Sequence, residues 1–356
     1  MRALRLLLPL GLLGLFIAVP WLSWRIPIVF AERLNTPGTE QLLALCLLFG
    51  GLALTYDLLF GFTGLLSFGH ALYFAVGVYV ADVAITRWHY SFAGALLITA
   101  GVGLALPLVL GPVVLRVGGI AFAMVTLAFA QAGAILVSKN PRHLTGGEEG
   151  LGLAYQALPK AFVGVLNTKN LYWLALAYAV VVFVVVSWAV RSSPGRVWAA
   201  IRENELRVEV LGLRPAAFKL IAFVLASFLA TAGGVVYLLV VGGANPEVTT
   251  ASFTLALLVM VVLGGTGTGW GALLGGGLYT LLDTRLGALG SSSQVQGLPG
   301  VLRTPLSEPL FVLGVLFILI VYFLPGGVAG LATRGRAGGR GLGRLREALR
   351  TRTESV

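Results

Sequence analysis

Ser67 and His70 stand three residues apart in the interval from Tyr56 to Asp82, YDLLFGFTGLLSFGHALYFAVGVYVAD, a hydroxyl and an imidazole at the spacing of one helical turn. Such a pair suggests a nucleophile and its base. Nucleophilic catalysis also needs a group to orient the base and donors for an oxyanion, and neither is evident here. Asp57 and Asp82 border the interval and are expected near the ends of their spans, within reach of water. A proton relay would need a chain of such groups across a bilayer, and the sequence has none. Three histidines and one cysteine offer no metal-ligand spacing. The glycine-rich run Val261 to Leu274, VVLGGTGTGWGALL, follows no strand, and no Gly-Lys-Ser or Gly-Lys-Thr occurs anywhere, so ATP is not expected to bind here in the P-loop manner. No catalytic residue, no metal site and no cofactor of its own are expected.

The elements that hold these polar groups follow from composition. With 58% hydrophobic and 11% charged residues, 48 glycines and a mean hydropathy of +0.93, the 356-residue chain is excluded from the soluble globular class and reads as an all-α, polytopic integral membrane protein. Cys46, the one cysteine, excludes an internal disulfide and reads as a small core residue. About ten transmembrane helices are expected, over Leu6–Val19, Thr39–Phe60, Leu65–Ile85, Phe92–Val114, Ile120–Val137, Leu171–Val190, Leu220–Gly242, Phe253–Leu263, Trp270–Leu289 and Pro309–Leu324. The first is kept as a span because no small-x-small cleavage site precedes Pro20, and Trp21 and Trp24 suit an interface. Phe253–Leu263 is short for a crossing. Residues 1–333 then form one transmembrane domain, and 334–356 form a basic tail suited to an anionic lipid surface.

Within that domain two connections are long. The connection 191–219, RSSPGRVWAAIRENELRVEVLGLRPAAFK, reads as one helix capped by Ser193, opened by Pro194 and ended by Gly212 and Pro215. Val197, Ile201, Val208 and Leu211 form an apolar stripe, and Glu203 and Arg207 form an i, i+4 pair. Its six basic and three acidic residues suit a protein surface better than phospholipid; the plainer alternative is a solvated loop. The connection 138–170 contains LTGGEEGLGLAYQALP, whose Gly146 and Gly147 indicate tight turns and whose Glu148 and Glu149 form an acidic spot. Placing Arg2, Arg5, Arg116, the connection 191–219 and the tail on the cytoplasmic side gathers most of the positive charge there, so both termini are expected inside. In the interval from Tyr56 to Asp82, the glycines permit close packing and a break, while Thr63, Ser67 and His70 offer hydrogen bonds that lipid cannot satisfy. These residues, with Phe74, either line a path through the membrane or lock helices together. Glycines four apart in Val261 to Leu274 predict close helix crossings.

Four of these stretches resemble one family. The connection 191–219 is similar to the cytoplasmic coupling loop of ATP-binding-cassette importer permeases, in particular the LivM/LivH branched-chain amino acid permeases. The likeness runs through Ser193, Pro194, Gly195, Arg196, Ala200, Ile201, Arg202, Asn204, Glu205, Glu209, Leu211 and Gly212. In the broader importer pattern E-A-A-x-x-x-G the leading acid is absent, since Leu206, Arg207 and Val208 precede Gly212. Gly61, Thr63, Gly64, Leu66, Ser67, Gly69, His70, Ala71, Phe74, Gly77 and Tyr79 match a second family pattern, and Met260, Gly264, Gly265, Gly267, Trp270, Gly271 and Gly275 a third. The run from Leu144 is similar to a further TGG--GL pattern.

The resemblance implies a non-enzymatic permease subunit in a prokaryotic plasma (inner) membrane that translocates leucine, isoleucine and valine. It implies three kinds of partner besides lipid, namely a LivH-like second permease, two ATPase subunits that carry ATP and Mg, and an extracytoplasmic substrate-binding protein; no nucleic acid is expected. Arg196, Ile201, Arg202, Asn204, Glu205, Glu209 and Gly212 are then expected at the ATPase, and Thr63, Ser67, His70 and Phe74 on the path. Gly146, Gly147, Glu148 and Glu149 are expected at the receptor, and Gly264, Gly265, Gly267, Gly271 and Gly275 in helix packing. A permease for urea, short amides or a sugar is the alternative within the class, and an ion-coupled secondary transporter the alternative outside it.

Overall fold

The computed structural model describes residues 16–21, 35–164, 167–290, 308–323 and 326–330. Pro37, placed at a first helical turn where its missing N–H costs nothing, opens α1, Pro37–Asp57, which runs on through a π-helical turn, Leu58–Thr63. Gly64 ends it with a left-handed φ of +78°, and residues 64–69 are non-helical. α2 therefore begins only at His70 (His70–Thr86). α3 is Phe92–Val114, capped by Ser91, whose Oγ accepts from Gly94 N at 3.3 Å; α4 is Gly119–Lys139. There follow α5, Thr168–Arg191; α6, Ser193–Glu203; α7, Glu205–Val210; α8, Pro215–Val241; α9, Ala251–Gly264; α10, Trp270–Gly290; and α11, Pro309–Phe323.

Helices thus occupy every expected span from Thr39 onward. Among the described residues five are long and apolar enough to cross a membrane, over Pro37–Thr63, α3, α4, α5 and α8, while α2 and α9 are shorter apolar helices. Leu6–Val19, except its last residues, and the tail 334–356 lie outside the described residues. Phe16 is described: its carbonyl accepts from Tyr172 Oη at 2.6 Å, and the Trp21 ring meets that of Trp173 at a tilt, centroids 5.6 Å apart, beside the start of α5.

Long-range contacts sort the connections onto two faces. Gly111 of α3 packs on Leu220 near the start of α8, the 265–269 loop meets the connection 191–214, and Gly265 adjoins Gly326 and Gly327; these define one face. On the other, Ala154 N donates to Thr86 Oγ1 at 3.1 Å, and a two-residue strand β1, Leu151–Gly152, pairs antiparallel with β2, Gly243–Ala244. α1 is the most enclosed of the long helices and α3 the least. The core gathers around α1, α2, α8 and α10, where backbones nearly touch. A Cβ at Gly77 would lie 2.0 Å from the carbonyl oxygen of Thr231.

Candidate functional site

The face carrying the connection between α5 and α8 differs from the single helix expected. The helix-free residue before α6 is Ser192, with Ser193 already helical. The run then breaks at Asn204, which adopts an extended φ of −161° and accepts the N–H of Arg207 on Oδ1 at 3.1 Å, capping α7. Asparagine competes with the helix in this way because its short amide satisfies a free amide of the next turn. The break divides the apolar stripe. Trp198, Ile201 and Val208 are buried, but Leu211 is 78% exposed and stands beside Leu206 (71%) and Val210 (88%) on the outside. It also parts Glu203 from Arg207. In place of that pair, Lys219 Nζ donates to Glu205 Oε1 at 2.5 Å, tying α7 to the first turns of α8. The Trp198 indole donates to the Phe218 carbonyl at 2.8 Å and ties α6 to α8 as well. Gly212 takes the expected left-handed turn, with φ +81°.

Arg202 carries this connection into the membrane domain. Its guanidinium donates to the carbonyl of Gly61, inside the π-helical turn of α1, and its stem covers Gly64. That turn frees carbonyls from the regular ladder, and π-turns commonly mark functional positions. Directly behind lies Asp57. It was expected near water, yet it is fully buried, and its carboxylate accepts from Gly267 N at 2.8 Å and Gly269 N at 3.4 Å. The loop 265–269 can present those amides inward because Gly265, Gly267 and Gly269 have φ of +109°, +72° and +66°. A Cβ at Gly61 would lie 1.9 Å from Asp57 Oδ1 and 2.4 Å from Gly267 N, so only glycine fits. Arg202, the π-turn, Asp57 and the glycine loop form one bracket joining α6, α1 and the α9–α10 connection. Its buried charge is held by two amides and faced by one guanidinium, the pairing that a buried carboxylate requires.

The residues expected on a path sit deeper. Ser67 and His70 are not one helical turn apart, since Ser67 lies in the non-helical stretch and His70 begins α2. Thr63, Ser67, His70 and Phe74 are all buried within this chain. Thr63 Oγ1 donates to the Leu58 carbonyl at 2.8 Å, and His70 Nε2 lies 2.9 Å from Thr55 Oγ1. Phe74 stacks on Phe253 at 5.1 Å and contacts Tyr237 edge-on at 5.4 Å. Asp82 is likewise buried, not open to water, and accepts from Thr86 Oγ1 at 2.8 Å. Gly264, Gly271 and Gly275 pack α9 against α10; a Cβ at Gly275 would lie 2.1 Å from the Met260 carbonyl oxygen. Gly265 and Gly267 belong instead to the loop of the bracket, where positive φ excludes them from a helix crossing.

On the opposite face, Asn140 organises the connection 138–170 by accepting from Thr145 N at 2.9 Å and Gly146 N at 3.1 Å. Gly146 and Gly147 turn left-handed, which leaves Glu148 and Glu149 exposed above the β1–β2 pair. The bracket's main residue, Asp57, is hard to find from sequence. The available signal is an acid well inside an apolar run, which is costly unless it has partners.

Over residues 38–324 the chain matches the profile of a family described as branched-chain amino acid transport system, permease component. The high-affinity branched-chain amino acid transport system permease protein LivM of Escherichia coli (strain K12) is 29% identical over 259 residues, which cover 67% of this chain and 61% of that protein. The Salmonella typhimurium protein of the same name has the same identity and coverage. A probable branched-chain amino acid transport permease protein LivM of Methanocaldococcus jannaschii is 27% identical over 157 residues, 44% of this chain and 45% of that protein. The chain thus spans about three-fifths of the length of the first two relatives. No solved structure matches it significantly.

Proposed function

The chain belongs to the family of permease components of branched-chain amino acid transport systems, and we propose that it is a membrane subunit of an ATP-binding-cassette importer. In this reading it performs no chemistry on its cargo. An extracytoplasmic binding protein brings leucine, isoleucine or valine to the outer face, at the exposed Glu148 and Glu149. A LivH-like second permease completes the passage, and two ATPase subunits hold Mg-ATP. The membrane is the prokaryotic inner membrane, with the α6–α7 side and both termini cytoplasmic. Residues 1–333 form the transmembrane domain and 334–356 the tail.

One observation supports this reading most: α6 and α7 project Leu206, Val210 and Leu211 away from the membrane domain, while Trp198, Ile201 and Val208 hold them to it. Exposed aliphatic side chains on an otherwise charged connection mark a docking surface for a protein. Asn204 and Glu209 border them in the chain, Gly212 turns the connection just beyond, and exposed Arg196 on α6 is a further contact in this reading. Ile201, Arg202 and Glu205 serve inward, as the buried seat, the bracket contact and the latch to Lys219. Closure of the ATPases on ATP displaces α6 and α7, and Arg202 passes that displacement to α1 and the 265–269 loop. Thr63, Ser67, His70 and Phe74, in the segments that follow the bracket, shift with it and open the path.

Co-purification tests the partnership. L206E/V210E is expected to release a P-loop ATPase that accompanies the native chain; retention of the ATPase by this variant, or its absence from the native complex, refutes the reading. Uptake of labelled leucine, competed with valine, isoleucine, urea or ribose, tests the cargo. Competition by urea or ribose alone overturns the substrate assignment and leaves the coupling intact.

A further inference from the structure

Between α2 and α4, on the half of the membrane domain away from the bracket, lies a half-open apolar groove of about 300 Å³. Leu72, Val76 and Val83 of α2 and Ala130, Ala134 and Val137 of α4 line it. From Leu72 to Val83 it follows α2 for about 16 Å at 1.5 Å per residue. That volume over that length gives a channel of about one hydrocarbon chain's girth, far narrower than a helix of about 10 Å diameter. An amino acid would leave its carboxylate and ammonium unpaired against aliphatic walls, at a cost in desolvation that a hydrocarbon chain does not incur.

The mouth differs in chemistry from the groove. Trp88, half exposed, stands at its end, as aromatic side chains do at a lipid interface. Arg87, Lys139 and Arg142 are exposed in the segments bordering the mouth. Glu148, Glu149 and Glu247 are on the same face, but no ion pair joins them to these cations among the described residues. Backbone strain is concentrated in the same two segments. His89, Asn140, Arg142 and His143 have φ of 54°, 47°, 55° and 57°, and they are the only non-glycine residues with positive φ among the described residues. Asparagine and histidine tolerate that region; arginine does so at a cost, which persists where a site requires it.

We propose that this groove binds an anionic phospholipid of the outer leaflet, one acyl chain lying between α2 and α4 and its phosphate held by Lys139 and Arg142. Lys139 and Arg142 are exposed three residues apart where α4 ends at the mouth, and ammonium and guanidinium donors both suit phosphate oxygens. Because Asn140 also shapes the Thr145–Gly146 turn, the bound lipid stabilises the outer connection from beneath. The proposal rests on the chain spanning a membrane in the orientation proposed above and is independent of its cargo.

The test is native mass spectrometry of the full chain, purified with whatever subunits accompany it, in mixed micelles of equal phosphatidylglycerol and phosphatidylcholine. The native protein is expected to retain phosphatidylglycerol preferentially. A134F, which fills the groove, is expected to retain neither lipid. K139Q/R142Q changes only exposed side chains, so the fold is kept, and the preference is expected to fall by about fivefold or more, the effect of one or two basic residues at a lipid surface. Equal retention by A134F, or an undiminished preference in K139Q/R142Q, overturns the proposal.

Discussion

The two faces of this permease connect to its interior differently. On the α6–α7 face, a connection reaches into the body of a span: Arg202 binds a carbonyl within the π-turn of α1, and Asp57, buried in the same helix, holds amides 210 and 212 residues away in sequence. On the opposite face, connections bind one another and helix ends. β1 pairs with β2, Thr86 at the end of α2 takes the N–H of Ala154, and Asn140 at the end of α4 shapes its own loop. A displacement applied to the first face therefore reaches the membrane interior through polar bonds; the second face is braced to present a fixed surface. In the proposed function, one face transmits and the other displays.

Substitutions of graded severity break or sharpen that contrast. The largest effect is expected at Gly61. G61V places a carbon 1.9 Å from Asp57 Oδ1 and 2.4 Å from Gly267 N, so no assembled permease should be recovered by size-exclusion chromatography in mild detergent. Recovery of a normal particle would mean that the bracket is loose. D57N comes next. It keeps one acceptor and turns the other into a donor facing an amide, leaving a buried N–H unpaired at a cost of about 1–3 kcal/mol. Thermal unfolding of the purified complex should shift downward, and uptake should fall further than stability does. K219M removes the latch to Glu205. Because the Glu205 side chain is 44% exposed and its charge is screened, the stability loss should be below about 1 kcal/mol, and raising the salt concentration should mimic it. E148K/E149K on the displaying face should leave unfolding within about 0.5 kcal/mol, as surface changes usually do. Its effect should be confined to the association rate of a binding protein and the salt dependence of that rate. A stability loss there as large as that of D57N would erase the distinction between the faces.

Much of the framework was legible because it depends on local signals. Span positions from Thr39 onward follow from apolar length, Gly212 and Pro215 mark the end of the α6–α7 connection, and the shortness of α9 shows in the sequence as a short apolar run. The glycine turns at 146 and 147 were likewise readable. Where two local rules compete, sequence pattern is a poorer guide. Helical periodicity and a Glu203–Arg207 pair argue for one continuous helix, but capping by Asn204 prevails, which leaves Leu211 outside and parts Glu203 from Arg207, while Glu205 pairs with Lys219. Contacts across long separations leave no local trace. Nothing near Asp57 in sequence names Gly267, and nothing near Arg202 names Gly61, although an acid within an apolar run signals that some partner must exist.

The central claim is that force on α6 reaches the membrane interior through Arg202. Its most direct test is the ratio of leucine imported to ATP hydrolysed, measured in proteoliposomes holding the whole transporter with the native chain or with R202M. The account predicts that R202M keeps its ATPase partners and hydrolyses ATP at near the native rate, while import per ATP falls by about tenfold, equivalent to about 1.4 kcal/mol of lost coupling. An unchanged ratio would contradict it, because the displacement would then be reaching the spans by another route.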